Sequence, residues 1–305
     1  MTPTPELSVV VALISARVDD LRVCLTALRD QSSPVRSEIL VPYDEAATAV
    51  LELAPEFPEV TFIPAERTRT IVQRGGLVRE HHDSLRTLGI RSATAPVIAL
   101  TEDHAHVSHD WCAGLLAALE RYPKAGAVGG AVDCDSSSSV NWAVYFGDFG
   151  RYQSPVPEGP VEFVSDANVA YRAAALEQVG DGWREDYHET IVHWAMARAG
   201  WELVMTPDVL VWQRRGQLGF GASLLERYVW GKSFAGGRCH DISTAKRLIF
   251  AVLSPVIPFL FCWRGWRLAA ARGRGGRFAT VLPAFFMLQC CWAVGELAGY
   301  LTGKP

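Results

Sequence analysis

The chain lacks an excess of positive charge and lacks any cysteine pattern that would crosslink it. Its 305 residues carry a formal net charge of −4, so no global basic field is present to attract nucleic acid. The seven cysteines include no pair with CxxC spacing, and their odd number argues against a disulfide scaffold. No basic segment precedes the first apolar run, as a signal peptide would require. We therefore expect a reduced, cytosol-facing protein without a nucleic-acid partner.

Apolar, β-branched runs alternate with helical spacing over the first half of the chain. The runs at 7–14, 38–41, 60–63, 97–100 and 125–132 read as strands. Leu21, Leu25 and Leu28 share one helical face between the first two runs. This alternation predicts an α/β fold with a mixed, mostly parallel sheet flanked by helices.

One apolar run ends abruptly in three side chains that can bind a metal. Val97-Ile98-Ala99-Leu100-Thr101 leads directly into Glu102, Asp103 and His104. Ligands of open α/β sheets bind outside the carboxyl ends of the strands, so these residues predict a divalent cation site. Such a cation would most readily hold a phosphorylated substrate. The alternative is a helix N-cap or a solvated loop.

Several motifs, taken in order over residues 7–238, resemble the family-2 glycosyltransferases, which bind nucleotide sugars with the GT-A fold. The motifs are Ser8-Val9-Val10-Val11, the strand 38–44 ending at Asp44, Arg86-Thr87-Leu88-Gly89-Ile90, Glu102-Asp103-His104 followed by Trp111, the stretch 165–172, and His188-Glu189. The segment Arg86–Ile90 resembles the family's Arg-Asn-x-Gly-Ile segment, and Glu102-Asp103-His104 occupies its Asp-x-Asp position. The resemblance implies a GT-A domain over residues 1–245.

The resemblance assigns the donor side of the site. It implies that Asp44 accepts a hydrogen bond from the nucleotide base, and that Glu102 and Asp103 face the ribose, the metal or the diphosphate. His104 would ligate the metal together with these two carboxylates. Arg86 would either steady the nucleotide phosphate or pair with an acid.

The metal motif departs from the family pattern. His104 stands where the family has an aspartate, and Gln213 stands where many relatives place a further histidine. Imidazole suits Mn²⁺ better than the harder Mg²⁺, although either cation is expected as the cofactor.

On the acceptor side, the resemblance makes Glu189 the general base of a single displacement with inversion at the anomeric carbon. Its alternative is a carboxylate favoured by a helix N-terminus. His188 would orient its neighbours. Asp166 and Asn168 would contact sugar or acceptor hydroxyls, or else form a turn.

Two arginines, Arg214 and Arg215, follow the last strand of the domain. Arginine forks suit phosphate recognition, so this pair could bind a nucleotide diphosphate or a lipid phosphate. The alternative is a basic face against anionic lipid.

The segment 246–305 differs in composition from the rest. Residues 248–263 and 278–295 carry no charge, and arginines crowd the stretch between them. A spanning hairpin would place these arginines on the side opposite a cytosolic catalytic domain, against the positive-inside rule. We therefore expect interfacial or re-entrant helices, or one interfacial helix followed by one span. A buried oligomer interface is the alternative.

These observations predict a glycosyltransferase on the cytoplasmic face of the cell membrane. It would move a sugar from a nucleotide diphosphate sugar, with a UDP-sugar as the first expectation, to a lipid-linked or membrane-proximal acceptor. One rival is a sugar nucleotidyltransferase, but the expected glycine-rich loop reads Ser15-Ala16-Arg17-Val18 here. The other is a catalytically silent membrane scaffold with the same fold.

Overall fold

The computed structural model describes residues 4–65, 78–185, 187–239 and 242–304, with backbone alone at 45, 46 and 78–81. The chain forms two compact units. Unit 1 comprises Met1–Asp135 and Ser154–Arg215, and unit 2 comprises Ser136–Gln153 and Gly216–Pro305.

Unit 1 contains all the strands of the described residues. They are β1 (Leu7–Ala12), β2 (Ser37–Tyr43), β3 (Val60–Pro64), β4 (Val97–Glu102), β5 (Ala105–Val107), β6 (Ala125–Cys134), β7 (Gly159–Val161), β8 (Val169–Arg172) and β9 (Glu202–Gln213). They form one sheet in the order β3-β2-β1-β4-β8-β6-β9-β5, with β7 added beside β9.

Helices connect and flank these strands. Unit 1 holds α1 (Val18–Arg29), α2 (Val78–Ser92), α3 (Trp111–Arg121), α5 (Ala173–Gln178) and α6 (Glu189–Arg198). Unit 2 holds α4 (Ser139–Asp148), α7 (Phe220–Arg238), α8 (Thr244–Leu253), α9 (Ile257–Ala271) and α10 (Gly275–Thr302). Short 3₁₀ turns lie at Glu45–Leu53, Gly180–Gly182 and Ser254–Val256.

The predicted α/β fold is confirmed, and the sheet is mixed. Strands β3, β2, β1 and β4 run parallel, as the alternation of strands and helices predicts. Strand β8 runs antiparallel to both β4 and β6. The last strand, β9, continues through Pro207, because a register shift against β6 accommodates the exposed proline.

The carboxyl ends of β1, β2 and β4 meet at one edge of the sheet because these strands are parallel. Every residue of β1 and β4 is buried. Gly89 brings α2 onto β1, since a Cβ at this position would lie 2.3 Å from Cγ1 of Val10. This close approach places Arg86, one turn earlier on α2, near the ends of the strands.

A buried hydrogen-bonded chain connects β8 to the segment that precedes α6. The Tyr171 hydroxyl lies 2.8 Å from the Tyr187 hydroxyl and 2.9 Å from Nε2 of His193. The backbone N–H of Tyr187 donates to Oγ1 of Thr87 at 2.8 Å. These bonds fix the position at which α6 begins.

Unit 2 is built on close contact between α7 and α10. A Cβ on Gly231 would lie 2.2 Å from the Trp292 carbonyl oxygen, and one on Gly295 would lie 2.1 Å from that of Tyr228. Only glycine permits this approach. Two helical stretches of unit 2, Thr244–Ala271 and Gly275–Thr302, are long and apolar enough to cross a membrane.

The boundary between the compact units lies at a different residue from the change in composition. The compositional boundary stands at residue 245, whereas the compact unit that contains the tail begins at Gly216. The physical reason is the backbone contact with α10, which groups α7 with the tail.

The buried His193 predicts a pH dependence of stability. Burial lowers the pKa of His193 to about 3, so its imidazole is neutral in the folded protein at neutral pH. Below about pH 6.5 the unfolded chain binds a proton that the folded chain excludes. The contribution of neutral His193 to the free energy of unfolding is therefore fully present above about pH 6.5 and is lost as the pH falls below it. We expect His193 to account for a loss of about 2 kcal/mol between pH 7.5 and 5.

Thermal unfolding of the full chain at both pH values, in wild type and His193→Gln, measures this contribution. The variant should lose less stability on acidification. The exposed His109 offers a matched control, and His109→Gln should behave as wild type. Equal acid sensitivity in His193→Gln and wild type would contradict the account.

Candidate active site

A buried arginine at the carboxyl ends of the strands contacts three carboxylates. Arg86 lies 3.3 Å from Asp83 and 3.2 Å from both Glu102 and Asp166, measured between guanidinium nitrogen and carboxylate oxygen. Its exposed fraction is 4%. Of the two roles that the sequence leaves open for Arg86, pairing with an acid is the one that the structure shows.

The charges of this cluster stabilise one another. Burial would lower the pKa of Arg86, but Asp166, Glu102 and Asp83 outweigh it and raise the pKa above its ordinary value. Burial would likewise raise the pKa of Glu102, yet His104, Arg215 and Arg86 hold it below the ordinary value. Both groups are therefore ionised at neutral pH.

The carboxylate of Asp103 binds other groups of the protein. It accepts hydrogen bonds from the backbone N–H of Ser15 at 3.0 Å, the N–H of Ala16 at 2.7 Å and the Ser15 hydroxyl at 2.9 Å. Ala16 has a positive φ of 51°. These bonds hold the loop after β1, while the other carboxylate oxygen of Asp103 lies 3.0 Å from Nδ1 of His104.

His104 is therefore oriented by Asp103 and faces Glu102 with its other nitrogen. Nε2 of His104 lies 3.2 Å from Oε2 of Glu102 and 3.0 Å from Nε of Arg215. Burial would lower the pKa of His104, but hydrogen bonds with Asp103 and Glu102 raise it to about 9. The position between Nε2 and Oε2 thus favours a positive charge, either a proton or a cation.

Gln213 contacts the same carboxylate oxygen of Glu102. Its Nε2 donates to Oε2 of Glu102 at 2.9 Å, and its buried Oε1 has no hydrogen-bond partner among the described residues. Adjacent ligands of one ion lie about 3 Å apart when metal–ligand bonds are about 2.1 Å long. The 3.2 Å separation between Glu102 and His104 fits this requirement.

The side chains at this position carry oxygen and nitrogen donors of the types that bind divalent cations. In the ranges that the structure describes, no three His, Cys, Asp or Glu side chains converge as metal ligands. Glu102, His104 and the unpaired amide oxygen of Gln213 form a mixed set instead, with Asp103 behind the imidazole. Such a carboxylate–histidine pair fixes the ring and makes it a better ligand.

The acceptor-side residues are connected to the same arginine. The backbone N–H of Asp166 donates to Oε2 of Glu189 at 3.5 Å, while the Asp166 carboxylate pairs with Arg86. Glu189 is the first residue of α6, where the helix dipole favours a negative charge. A continuous series of contacts therefore runs from His104 through Glu102, Arg86 and Asp166 to Glu189.

Asn168, for which the sequence leaves a hydroxyl contact or a turn open, has its side chain bonded inside the sheet. It is fully buried, its Oδ1 accepts from the Trp111 indole at 2.7 Å, and its Nδ2 donates to the Ala131 carbonyl at 2.8 Å. Its polar atoms are thus engaged inside the sheet. The residue supports β8 and α3 rather than a ligand.

The remaining predicted residues take separate positions. Arg214 and Arg215 follow β9 and have different partners: Arg214 pairs with Asp135 at 2.8 Å, and Nε of Arg215 lies 3.0 Å from Nε2 of His104. Asp44 lies at the carboxyl end of β2, on the same edge as Glu102, and accepts from the Ala47 N–H at 3.0 Å. His188 directly precedes α6.

Sequence analysis missed Asp83 and the hydroxyl of Thr87. Both lie on α2 within one turn of Arg86, and the spacing of Asp83 and Arg86 is that of a helical ion pair. That spacing could have identified Asp83. Nothing in the sequence links Thr87 to the backbone of Tyr187, which is 100 residues later.

The bonding of Asn168 predicts a loss of stability rather than a loss of substrate affinity. Asn168→Ala leaves the buried Trp111 N–H without its partner and removes the bond to the Ala131 carbonyl, so we expect the free energy of unfolding to fall by about 2–4 kcal/mol. Trp111→Phe removes one of the two bonds and should cost less. A stable Asn168→Ala protein with a raised acceptor KM would contradict this assignment.

The sequence matches the model of a known family. The family model described as Glycosyl transferase family 2 matches residues 8–180. A search of curated proteins found no match.

Solved glycosyltransferases share the fold at low sequence identity. The mannosyltransferase PcManGT from Pyrobaculum calidifontis, solved with GDP-Man and Mn²⁺, is 16% identical with a TM-score of 0.55, covering 98% of this chain and 88% of its own. S. aureus TarS 1-349, in complex with UDP-GlcNAc, is 11% identical with a TM-score of 0.51, covering 98% and 92%. GalNAc-T7, solved with UDP, GalNAc and Mn²⁺, is 13% identical with a TM-score of 0.50, covering 70% and 44%.

The family match spans more than half of the chain and includes β1, Arg86 and Glu102. The neighbours are glycosyltransferases of the GT-A type. The chain therefore belongs to glycosyl transferase family 2 and is a glycosyltransferase with the GT-A fold.

Proposed function

We propose that this glycosyltransferase moves one sugar from a nucleotide diphosphate sugar, with inversion, to a hydroxyl of an acceptor at the membrane surface. The observation that carries the proposal is the series of contacts from Glu102 through Arg86 and Asp166 to Glu189. It connects the end of β4, where a nucleotide sugar would bind, with the carboxylate at the start of α6.

Glu189 is the general base of the proposed reaction. A sugar hydroxyl is a weak nucleophile until its proton is removed, and a positioned carboxylate contributes about 10²–10⁴-fold. The acceptor proton passes to Glu189 as the acceptor oxygen bonds to the anomeric carbon. The bond from that carbon to the diphosphate breaks, and the nucleoside diphosphate leaves with the electron pair. Attack from the side opposite the leaving group inverts the configuration.

The donor side is proposed to hold the diphosphate. Glu102, His104 and Gln213 would hold a divalent cation, Mn²⁺ or Mg²⁺, which would supply positive charge against the leaving diphosphate. Asp103 orients His104 and has no free oxygen for a direct contact. Arg215 is the group that must leave Nε2 of His104 when a cation binds, and its guanidinium then suits a phosphate oxygen.

The neighbouring structures support a nucleotide-sugar donor without fixing its base. One holds GDP-Man and another holds UDP-GlcNAc. Asp44, on the same edge as Glu102, is the proposed partner of the base. The sequence gives a UDP-sugar as the first donor to test, with a GDP-sugar beside it.

The acceptor is proposed to be lipid-linked or membrane-proximal, and the enzyme to work on the cytoplasmic face of the membrane. The two apolar helical stretches of unit 2 support this location. The catalytic residues do not define the acceptor beyond a hydroxyl. An anionic phosphate acceptor would need no base, and Glu189 would then be dispensable.

The mixed donor set predicts how variants alter Mn²⁺ binding. UDP or GDP with Mn²⁺ should raise the melting temperature of the full chain more than either nucleotide alone, because ligands that bind the folded state stabilise it. His104→Ala should abolish the Mn²⁺-dependent part. Gln213→Leu should weaken the apparent Mn²⁺ affinity by at least about tenfold, whereas Gln213→His should retain it.

The matched control is His106→Ala, since His106 lies on β5 and packs on the Trp212 ring, 5.9 Å between centroids. It should leave the Mn²⁺ effect unchanged. An unchanged Mn²⁺ effect in both His104→Ala and Gln213→Leu would reject the proposed cation site.

The proposed base predicts a separation of binding from turnover. Glu189→Gln should lower the transfer rate by about 10²–10⁴-fold while leaving the nucleotide-induced thermal shift intact. Rates are measured with the nucleotide sugar whose base gives the shift, using release of the nucleoside diphosphate.

Glu177→Gln is the control, because Glu177 is 73% exposed on α5 and loses the same charge. Equal loss of binding and turnover in Glu189→Gln would assign a structural role to Glu189. Unchanged turnover would indicate an acceptor that is already anionic and would overturn the hydroxyl acceptor.

A further inference from the structure

Unit 2 contains a long stretch with positive charge and no negative charge. Between Ile242 and Gly295 the sequence has no Asp or Glu. The basic residues in this stretch are Lys246, Arg247, Arg264, Arg267, Arg272, Arg274 and Arg277. Those of them that are exposed, such as Arg264 and Arg267, are complementary to anionic phospholipid headgroups.

The outer face of α8 and α9 combines these charges with apolar side chains. Val252 is 77% exposed, Phe259 65% and Trp263 55%. Arg267 stacks over the Trp263 ring at 4.9 Å, and Arg264 is also exposed. Exposed aromatic and aliphatic side chains beside arginines are typical of helices that lie at the level of the headgroups.

The turn between α9 and α10 is held by the segment Ser136–Gln153. Nε of Arg272 donates to the Gln153 carbonyl at 2.9 Å, and Nη2 donates to that of Arg151 at 3.3 Å. The Arg277 guanidinium lies 4.9 Å from the centre of the Trp142 ring. Gln153 is followed directly by Ser154, the point at which the chain returns to unit 1.

This attachment limits where the turn can lie relative to a membrane. Both ends of Ser136–Gln153 join unit 1, and its only helix, α4, has 10 residues. A helix of that length extends about 15 Å, whereas the hydrocarbon core is about 30 Å thick. The turn that carries Arg272 therefore lies on the side of the membrane from which this segment departs.

The contact between α7 and α10 limits α10 in the same way. A Cβ on Gly299 would lie 2.4 Å from the Lys232 carbonyl oxygen, and the contacts of Gly231 and Gly295 are as close, so the two helices share one depth. Helix α7 exposes Glu226 and Arg238 along its length. Exposed charges are costly in hydrocarbon, so α7 and the part of α10 that it contacts, from Trp292 to Gly299, lie outside it. The start of α10 is held by the turn that carries Arg272, so both ends of the helix lie on one side of the membrane.

We propose that unit 2 is an in-plane membrane module that docks on one leaflet rich in anionic phospholipid and does not cross the bilayer. The exposed Arg264 and Arg267 of α9 contact the headgroups, and the apolar face of α8 and α9 enters the leaflet. The inference rests on the membrane association proposed above and adds the lipid class and the sidedness.

Sidedness is tested with thiols placed by the structure. The five partly exposed cysteines, Cys134, Cys239, Cys262, Cys290 and Cys291, are replaced by serine, and the buried Cys24 and Cys112 are retained. Gly276→Cys, Lys304→Cys and Asp19→Cys are then made singly. A Cβ at Gly276 meets open space, Lys304 is exposed, and the Asp19 side chain is 84% exposed in unit 1.

Membrane vesicles of both orientations are treated with a membrane-impermeant maleimide. All three thiols should react in the same preparation, because one side of the membrane carries them all. Reaction of the thiol from Gly276→Cys or Lys304→Cys in the opposite preparation to that from Asp19→Cys would overturn the in-plane arrangement.

Lipid class is tested by flotation of the otherwise unmodified full chain with vesicles. Binding to phosphatidylcholine mixed with phosphatidylglycerol should exceed binding to phosphatidylcholine alone and should weaken with salt. Arg264→Gln with Arg267→Gln should lower the partition coefficient by about 30-fold, since each basic residue near an anionic surface contributes about fivefold. Arg17→Gln with Arg36→Gln, two arginines 57% and 60% exposed in unit 1, is the control.

The outcomes distinguish the preference for anionic lipid from membrane association itself. Equal binding to both vesicle types would overturn the anionic-lipid preference while leaving membrane association intact. No binding to either vesicle type would overturn the membrane association itself. An equal effect of the two double variants would show that overall charge, not the arginines of α9, drives binding.

Discussion

The buried guanidinium of Arg86 is the interaction on which the arrangement of the site depends. A buried charge is tolerated only when it is paired, and Arg86 meets this requirement with Asp83, Glu102 and Asp166. Each carboxylate comes from a different part of the chain: α2, the end of β4 and the turn before β8. The electrostatic requirement of one side chain thus holds three segments together, and removing it would leave three buried or partly buried acids without their counter-charge.

This arrangement gives the site a fixed part and a movable part. Asp103 is held by the loop after β1 and holds His104 in turn, while Arg86 holds Glu102 and Asp166. Arg215 is only part-buried and is bonded to Nε2 of His104, where a cation is proposed to bind. We infer that the pairs formed by Asp103 and Arg86 persist when ligands bind, and that Arg215 exchanges its histidine for a phosphate oxygen. The fixed pairs also place Glu189 relative to the donor site, because its partner Asp166 is one of the acids that Arg86 holds.

Much of the fold could be predicted from the sequence, because apolar runs alternating with helices dictate parallel strands and place Asp44 and Glu102 at one edge. The antiparallel insertion of β8 could not, since it depends on tertiary pairing with β4 and β6 rather than on local pattern. Within the site, the types of residue at 102–104 predict a cation, but only the structure shows that Asp103 serves the loop after β1. The sequence left the role of Asn168 open because a polar residue beside a turn looks the same in sequence whether it faces a ligand or an indole. The grouping of α7 with the tail has no local signal in the sequence, because the contacts of Gly231 with α10 come from residues about 60 positions later.

Arg86 is proposed to form a fixed frame around which a nucleotide and a cation bind. The decisive measurement is an experimental structure of the full chain with Mn²⁺ and the nucleoside diphosphate that stabilises it. In that structure we expect Mn²⁺ to be bound by Glu102 and His104, Arg215 to have left His104, and Arg86 to keep its pairs with Asp83, Glu102 and Asp166. Mn²⁺ bound elsewhere, or an Arg86 that releases these carboxylates to bind the nucleotide itself, would contradict the proposal.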